Sequence, residues 1–573
     1  MGTISDKLMR IISTKEDIRQ ALISKGYDVP TSIPFKEYAK MILDLPCKAD
    51  SFPDIEGIVA RYSASGLTNE QMAANPVWVD KTGNGHDLQL KNFSWKGMSG
   101  IGGYVADIDE WGTNSTAAYF ERNSIKITAT FKENASLGLL YHNIKLRQSC
   151  VLKVTGIPEG CDAFLDDRLG NRFYMSEDGV YEIIPSNFLA EALYFSIEKY
   201  PEGWYGSKLT IEQLPLYPGA LVFDGVDDYG VCDNFPILTK EKGYTVVALR
   251  QWITYNPNVI SAIATNASDQ SFNGAFTFEN YNKGAEQTIS YGATQISLQY
   301  SKSPFSWQTT SKYNGVNIAN GNKDATNSLV LGRSYPQRND FANFAIWELV
   351  FLDHDATEEE LTKIKDYFVK TYPWLFPDQA WTVVGKTNED EDRATIANIT
   401  GNGNDLVLSN FGFAEGSGYN EEGEYAGYLV TDGVDDKIIS SIFKMGNDWT
   451  VIGDWELINT GKNDNAGIVK FDSIVIYNYN SMLINIKNGR NILIPDQNTV
   501  NAICSDGRIY SKDWKESIYN EETESTSKNF LTIGYSGNAY TKIAFKNLAI
   551  YPTVLSREDC IKAYNYLQTL KAK

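Results

Sequence analysis

The feature that most constrains this chain is a sentence written twice. "TGNGHDLQLKNF" spans Thr82 to Phe93, and "TGNGNDLVLSNF" spans Thr400 to Phe411, with nine of twelve positions identical. Further pairs follow in the same order. "LVFDGVDDYGV" from Leu221 matches "LVTDGVDDKII" from Leu429, and "YTVVALRQWI" matches "WTVIGDWELI". "NSLVLGRSY" from Asn327 matches "NFLTIGYSG" from Asn529. "FAIWELVFLDHDATEEELTKIKDYF" from Phe344 matches "IAFKNLAIYPTVLSREDCIKAYNYL" from Ile543. Landmarks that recur in fixed order mean one structural unit encoded twice.

Spacing reveals where the copies differ. Phe93 to Phe223 is 130 residues, whereas Phe411 to Thr431 is 20. About 110 residues are therefore inserted in the first copy, and large insertions survive at exposed loop tips because loop closure costs little extra with length. The insert alternates apolar and polar residues, as in "KITATF" (Ile127, Ala129, Phe131) and "KLTIEQL" (Leu209, Ile211), with turn clusters between. The expected organisation is a helical segment over residues 1–46, a discontinuous unit over 47–114 and 218–376, an inserted β-domain over 115–217, and a second unit over 377–573.

Each copy should be mainly β and close with one helix. Thr357 and Glu360 form a capping box before Leu361, Ile364 and Phe368, and Ser556 and Asp559 repeat the device before Cys560 and Leu567. The first 46 residues read as two short amphipathic helices. One carries Ser13 and Thr14 as caps and Gly26 at its end; the other has Ser32 and Pro34 at its start and stops at Pro46. Segments this short must dock on something larger to bury their apolar faces.

Composition excludes several function classes. The formal charge of −20 repels phosphate backbones, so nucleic acid is not the expected partner. The six cysteines contain no CxxC pair, which argues against a zinc ribbon or redox motif. No apolar run approaches the ~18 residues of a membrane span, and the N-terminus lacks a secretory h-region; a protein made in a cytosol, without membrane attachment, is expected.

The candidate chemistry is thin. In "TGNG" the glycines permit a tight turn with positive φ, and no strand-to-helix phosphate loop surrounds them; this is a sentence about shape. His86 stands where the second copy has Asn404, which makes it a turn residue. "DGVDD" gathers Asp224, Asp227 and Asp228, and again Asp432, Asp435 and Asp436. Such clusters either supply oxygens to calcium or close an Asp-Gly turn with solvated acids. His86, His142 and His354 belong to no nucleophile or metal motif. The acidic strings "DIDEW" (Asp107 to Trp111) and "NEDEDR" (Asn388 to Arg393) do not give the paired carboxylates of a glycosidase. No catalytic residue is assigned and no enzyme is expected. Trp95, Trp111, Trp204, Tyr205, Trp307 and Trp514 are aromatics that could stack on sugars, and Trp204 with Tyr205, in the turn "EGWYGS", is the preferred ligand platform.

The ordered landmarks resemble laminin G-like, concanavalin A-like lectin/glucanase domains. That resemblance implies two antiparallel jelly-roll β-sandwiches, and in some members calcium. The N-terminal "DKLMRIISTKEDIRQALISKGYDVPTSIPFKEYAKMI" resembles the start of appendage proteins of tailed phages of gut Bacteroidetes, notably crAss-like phages. It implies a virion fibre or decoration protein held to other virion proteins by residues 1–46. Such a protein would be multicopy or oligomeric and would use its lectin-like domains on host-surface glycans or in fibre assembly. A capsule depolymerase and a purely protein-binding sandwich are the alternatives.

Overall fold

The central strands explain themselves. "NFAIWELVFL" and "IAFKNLAIY" show no polar alternation, and Asn343–Leu352 and Ile543–Tyr551 are buried almost throughout. A strand covered on both faces reads as a continuous apolar run. In this computed structural model, residues 52–572 are described apart from 106–117, 133–142, 158–162, 184–191, 198–205, 255–261, 268–276, 279–293, 307–324, 459–466, 519–530 and several shorter breaks. The expected helices of residues 1–46 lie outside the described residues.

Around each central strand the same neighbours assemble, all antiparallel. Asn343–Leu352 has Thr245–Trp252 on one side, and Leu221–Asp224 and Ile58–Ser63 against its two halves on the other. Ile543–Tyr551 has Thr450–Leu457 on one side, and Leu429–Val430 and Gln379–Thr382 on the other. Register agrees: Leu221 faces Ile346 and Leu429 faces Phe545. Even the irregularity is repeated, with a bulge at Leu249/Arg250 and again at Asp454/Trp455. Bulges re-aim the side chains that follow them, so a shared bulge preserves a shared inside and outside.

A second sheet faces the first in each copy. In one, Tyr229–Cys232 lies between Leu88–Lys91 and Ala325–Leu331; in the other, Lys437–Ser440 lies between Leu406–Ser409 and Leu531–Ile533. Both sheets of each pair feed one core. Tyr62, Phe223, Phe344 and Phe351 meet Trp78, Leu88, Leu90 and Leu331. Trp381, Phe545, Leu548 and Ile550 meet Leu406, Leu408, Ile438 and Leu531. Full burial of each such side chain stabilises by about 1.5–3 kcal/mol as an upper estimate.

Among the described residues, the strands between Ala118 and Gln213 pair only with one another, in a five-stranded and a four-stranded sheet. Ile127, Phe131, Leu152, Val154, Leu209 and Ile211 belong to a core of their own. The helix Glu358–Thr371 begins as expected: Thr357 Oγ1 accepts from the Glu360 amide while Glu360 accepts from the Thr357 amide. Its Leu361, Ile364, Tyr367 and Phe368 are buried. Ser556 caps Arg557–Leu567 through the Asp559 amide, and Cys560 and Leu567 are buried. Sequence reading missed the short helix Asn69–Ala74, although Thr68 and Gln71 form a capping box there.

Candidate functional site

The duplicated turns can be followed bond by bond. Asp80 Oδ1 accepts from the amides of Arg61 (3.1 Å) and Thr82 (3.0 Å), and Thr82 Oγ1 accepts from the Asn84 amide (3.2 Å). Asn84 Nδ2 donates to the Val59 carbonyl at 3.0 Å. In the second copy Asn398 Oδ1 accepts from Ala380 and Thr400, each at 3.1 Å. Thr400 Oγ1 accepts from Asn402 (3.3 Å), and Asn402 Nδ2 donates to the Asp378 carbonyl (2.7 Å). A carboxylate in one copy and an amide in the other thus make the same bonds. Geometry is retained while charge is discarded, which fits a structural device and not a charged site. Gly83 and Gly85 sit at φ +79° and +82°, and Gly401 and Gly403 at +80° and +72°, where only glycine is unstrained.

These turns are latched to the acidic turns, which are not hairpins but crossings from one sheet to the other: Leu221–Asp224 and Tyr229–Cys232 lie in different sheets, as do Leu429–Val430 and Lys437–Ser440. Asn92 and Asn410, both left-handed at φ 68° and 70°, donate from Nδ2 to the Asp227 carbonyl (3.1 Å) and the Asp435 carbonyl (3.0 Å). The link was invisible in the sequence, because the partners are 135 residues apart in one copy.

In both acidic turns the three carboxylates converge, with ligand-type oxygens within 4.8 Å of one another. The turn itself engages two of the three. Asp224 Oδ1 accepts from the amides of Val226 (2.7 Å) and Asp227 (3.4 Å). Asp228 Oδ2 accepts from the Asp224 amide (3.0 Å), and its Oδ1 accepts from Ser99 Oγ (2.9 Å). Asp432 Oδ1 accepts from Val434 (2.7 Å) and Asp435 (3.2 Å), and Asp436 Oδ2 from the Asp432 amide (2.8 Å). Burial pushes the Asp228 carboxyl up to about 7, with the Asp224 charge adding and the bonds from the Asp224 amide and Ser99 opposing. Burial likewise lifts Asp436 to about 6, against the Asp432 amide and Ser417 hydroxyl. Four of the six carboxylates, those of Asp224, Asp228, Asp432 and Asp436, thus hold the turns by hydrogen bonds.

The aromatic candidates fare unevenly. Trp111, Trp204, Tyr205 and Trp307 fall outside the described residues, as do His142 and "DIDEW". Trp514 is no surface platform: it is buried at 1% exposure with Tyr564 edge-on to its ring. Trp95 is half-buried and stacks on Phe93 at 4.9 Å. His86 serves the turn, its amide donating to Asp80 Oδ2 (3.3 Å). "NEDEDR" is self-closed: Asn388 Nδ2 donates to the Tyr419 carbonyl (2.8 Å), and Asp390 Oδ2 accepts from the Thr387 amide (2.9 Å). Cys150, Cys232, Cys504 and Cys560 are buried.

Sequence reading also missed a buried polar network behind the first sheet pair. Arg61 meets Glu348 at 3.2 Å and donates to Tyr367 Oη at 2.8 Å, while Tyr372 Oη donates to Glu348 Oε1 at 2.7 Å.

No family model matches the chain, and no curated protein matches it. Solved structures similar to it include the botulinum neurotoxin type G receptor binding domain, at 11% identity and TM-score 0.21, with 33% of this chain and 50% of that one covered. The chain thus spans half the length of that domain. A Trypanosoma rangeli sialidase in complex with sialic acid aligns at 9% identity and TM-score 0.26, covering 80% of this chain and 84% of that one. The botulinum neurotoxin serotype D binding domain aligns at 9% identity and TM-score 0.14, covering 87% and 98%. The expectation that the chain is no enzyme is withdrawn, because sialidases stand among these neighbours. Likenesses this slight transfer no activity in either direction. The chain itself is β-rich, with its described strands in antiparallel sheets.

Proposed function

We propose that this chain is a virion appendage protein of a tailed phage. Residues 1–46 attach it to other virion proteins, and two concanavalin A-like jelly-roll sandwiches meet glycans on the host surface. The observation that carries this reading is the duplication itself: one two-sheet core is built twice with the same register, the same bulge and the same turn closures. Two presenting units per chain, multiplied by many chains on a particle, turn weak sugar affinities into firm attachment without any new contact. A net charge of −20 is compatible with neutral glycans and disfavours anionic polymers. In this reading the acidic segments close the turns between the two sheets and require no calcium.

The test is a glycan array presented at high density to the full chain, with release of reducing ends measured on the same glycans. Binding without release supports attachment. Release of reducing ends would assign a depolymerase, and a blank array would assign a purely protein-binding role. Deleting residues 1–46 tests the anchor separately: a truncated chain that still joins particles would refute it.

A further inference from the structure

Where the two copies meet, a cleft of about 330 Å³ opens between the end of the first and the start of the second. Its size is at the lower end of the ~300–1,000 Å³ typical of small-molecule sites, which favour such junctions. Phe376, Pro377 and Pro552 give it apolar surface, and Asp378, Asn402 and Tyr566 give it polar groups. The junction is firmly built. Tyr566 Oη accepts from the Thr294 amide at 3.2 Å, Gln251 Nε2 donates to Thr569 Oγ1 at 3.2 Å, and Tyr551 Oη donates to the Trp374 carbonyl at 2.9 Å.

Asp378 is the informative residue. Its carbonyl receives Asn402 Nδ2, as the Val59 carbonyl receives Asn84 Nδ2 in the first copy, so the two positions are equivalent. The turn therefore works with valine, and the fold does not demand a carboxylate here. Yet the half-buried Asp378 carboxylate has no hydrogen-bond or ion-pair partner among the described residues, and burial alone raises its pKa. A carboxylate kept in a cleft without a protein donor is open to donors from water or from a ligand that displaces it.

We infer that this inter-repeat cleft binds a neutral sugar residue, with Asp378 accepting its hydroxyls and the Phe376–Pro377 and Pro552 surfaces meeting its C–H faces. Charge selects the class. Asp378 and the overall −20 disfavour an anionic ligand, and Lys365, also in the lining, opposes a cationic one. A carboxylate that receives ligand hydroxyls forms charge-assisted bonds, roughly twice as strong as neutral ones. The assignment rests on the glycan-binding reading above and gives it an address.

The experiment uses the full chain with free hexoses and N-acetylhexosamines, measured by saturation-transfer NMR and calorimetry. Asp378→Val installs the residue of the equivalent position in the first copy, and Asp378→Asn keeps the shape if valine disturbs the fold. At least one sugar should saturate the parent, with Asp378→Val weakening it about ten-fold or more and leaving the melting temperature unchanged. Binding that either folded variant leaves within two-fold of the parent overturns the cleft assignment while the glycan reading stands. No binding by free sugars together with a blank array overturns both.

Discussion

The buried Arg61–Glu348 pair offers an internal control that few proteins provide. The strand pairings make Ala380 and Asn547 of the second copy equivalent to Arg61 and Glu348 of the first. One sheet pair therefore carries an ion pair at a place where its twin carries alanine and a fully buried asparagine. Arg61 is 4% exposed and Glu348 is 0% exposed. Arg61→Ala strands the carboxylate in the interior, with the Tyr367 and Tyr372 hydroxyls among its remaining partners. Removing one partner of a buried pair costs about 3–5 kcal/mol, much of it the penalty of the charge left behind. For a unit of this size that lowers the melting transition by roughly 6–15 °C. The double variant Arg61→Ala, Glu348→Asn removes the charge as well and installs the pair the second copy already tolerates. It should recover at least half of the loss, because an asparagine costs far less to bury than a carboxylate. Calorimetric melts of the parent, both single variants and the double variant complete the cycle. A double variant no more stable than Arg61→Ala would refute the reasoning, since the cost would then lie in lost packing around Arg61.

Asp228 and Asp436 carry the pH dependence. A folded-state carboxyl near 7, against an ordinary 3.8, binds its proton where the unfolded chain has released it. The penalty is therefore absent below about pH 4 and complete above about pH 7, on the order of 2–4 kcal/mol for Asp228. The parent should gain stability relative to Asp228→Asn as the pH falls from 8 to 5, and parallel curves would contradict this. Gly225→Ala and Gly433→Ala place a side chain at φ +76°, where the new Cβ of the first meets Asn343 Cβ at 2.7 Å. Each should cost about 1–2 kcal/mol in denaturant unfolding, whereas Gly446→Ala, at ordinary φ with only the Asp448 carbonyl in ordinary contact at 3.8 Å, should be neutral. If the acidic turns serve closure alone, millimolar calcium should leave the melting temperature where EDTA leaves it; a rise of several degrees would show a cation site.

The elements most legible in the sequence were those governed by local chemistry. The capping residues Thr357 and Ser556, the turn glycines and the alternation of "KITATF" act over a few residues, and each appears in the structure. Duplication extended that reach by pointing to equivalent strands far apart in the chain. What stayed hidden depends on partners brought together by the fold. Asn92 and Asp227 meet across 135 residues, and Arg61 and Glu348 across 287. Trp514 shows the converse error: aromatic identity alone does not separate a platform from a core residue, and this one is core. Asp378 was passed over because a single acidic residue beside a proline reads as a loop until its cleft and its valine counterpart are seen together.

Amide hydrogen exchange tests most directly whether the repeated landmarks close two equivalent cores. In each copy the central strand and its long neighbour, Asn343–Leu352 with Thr245–Trp252 and Ile543–Tyr551 with Thr450–Leu457, should hold the slowest-exchanging amides, with both sets protected together. Rapid exchange along either pair of strands under native conditions would contradict the account.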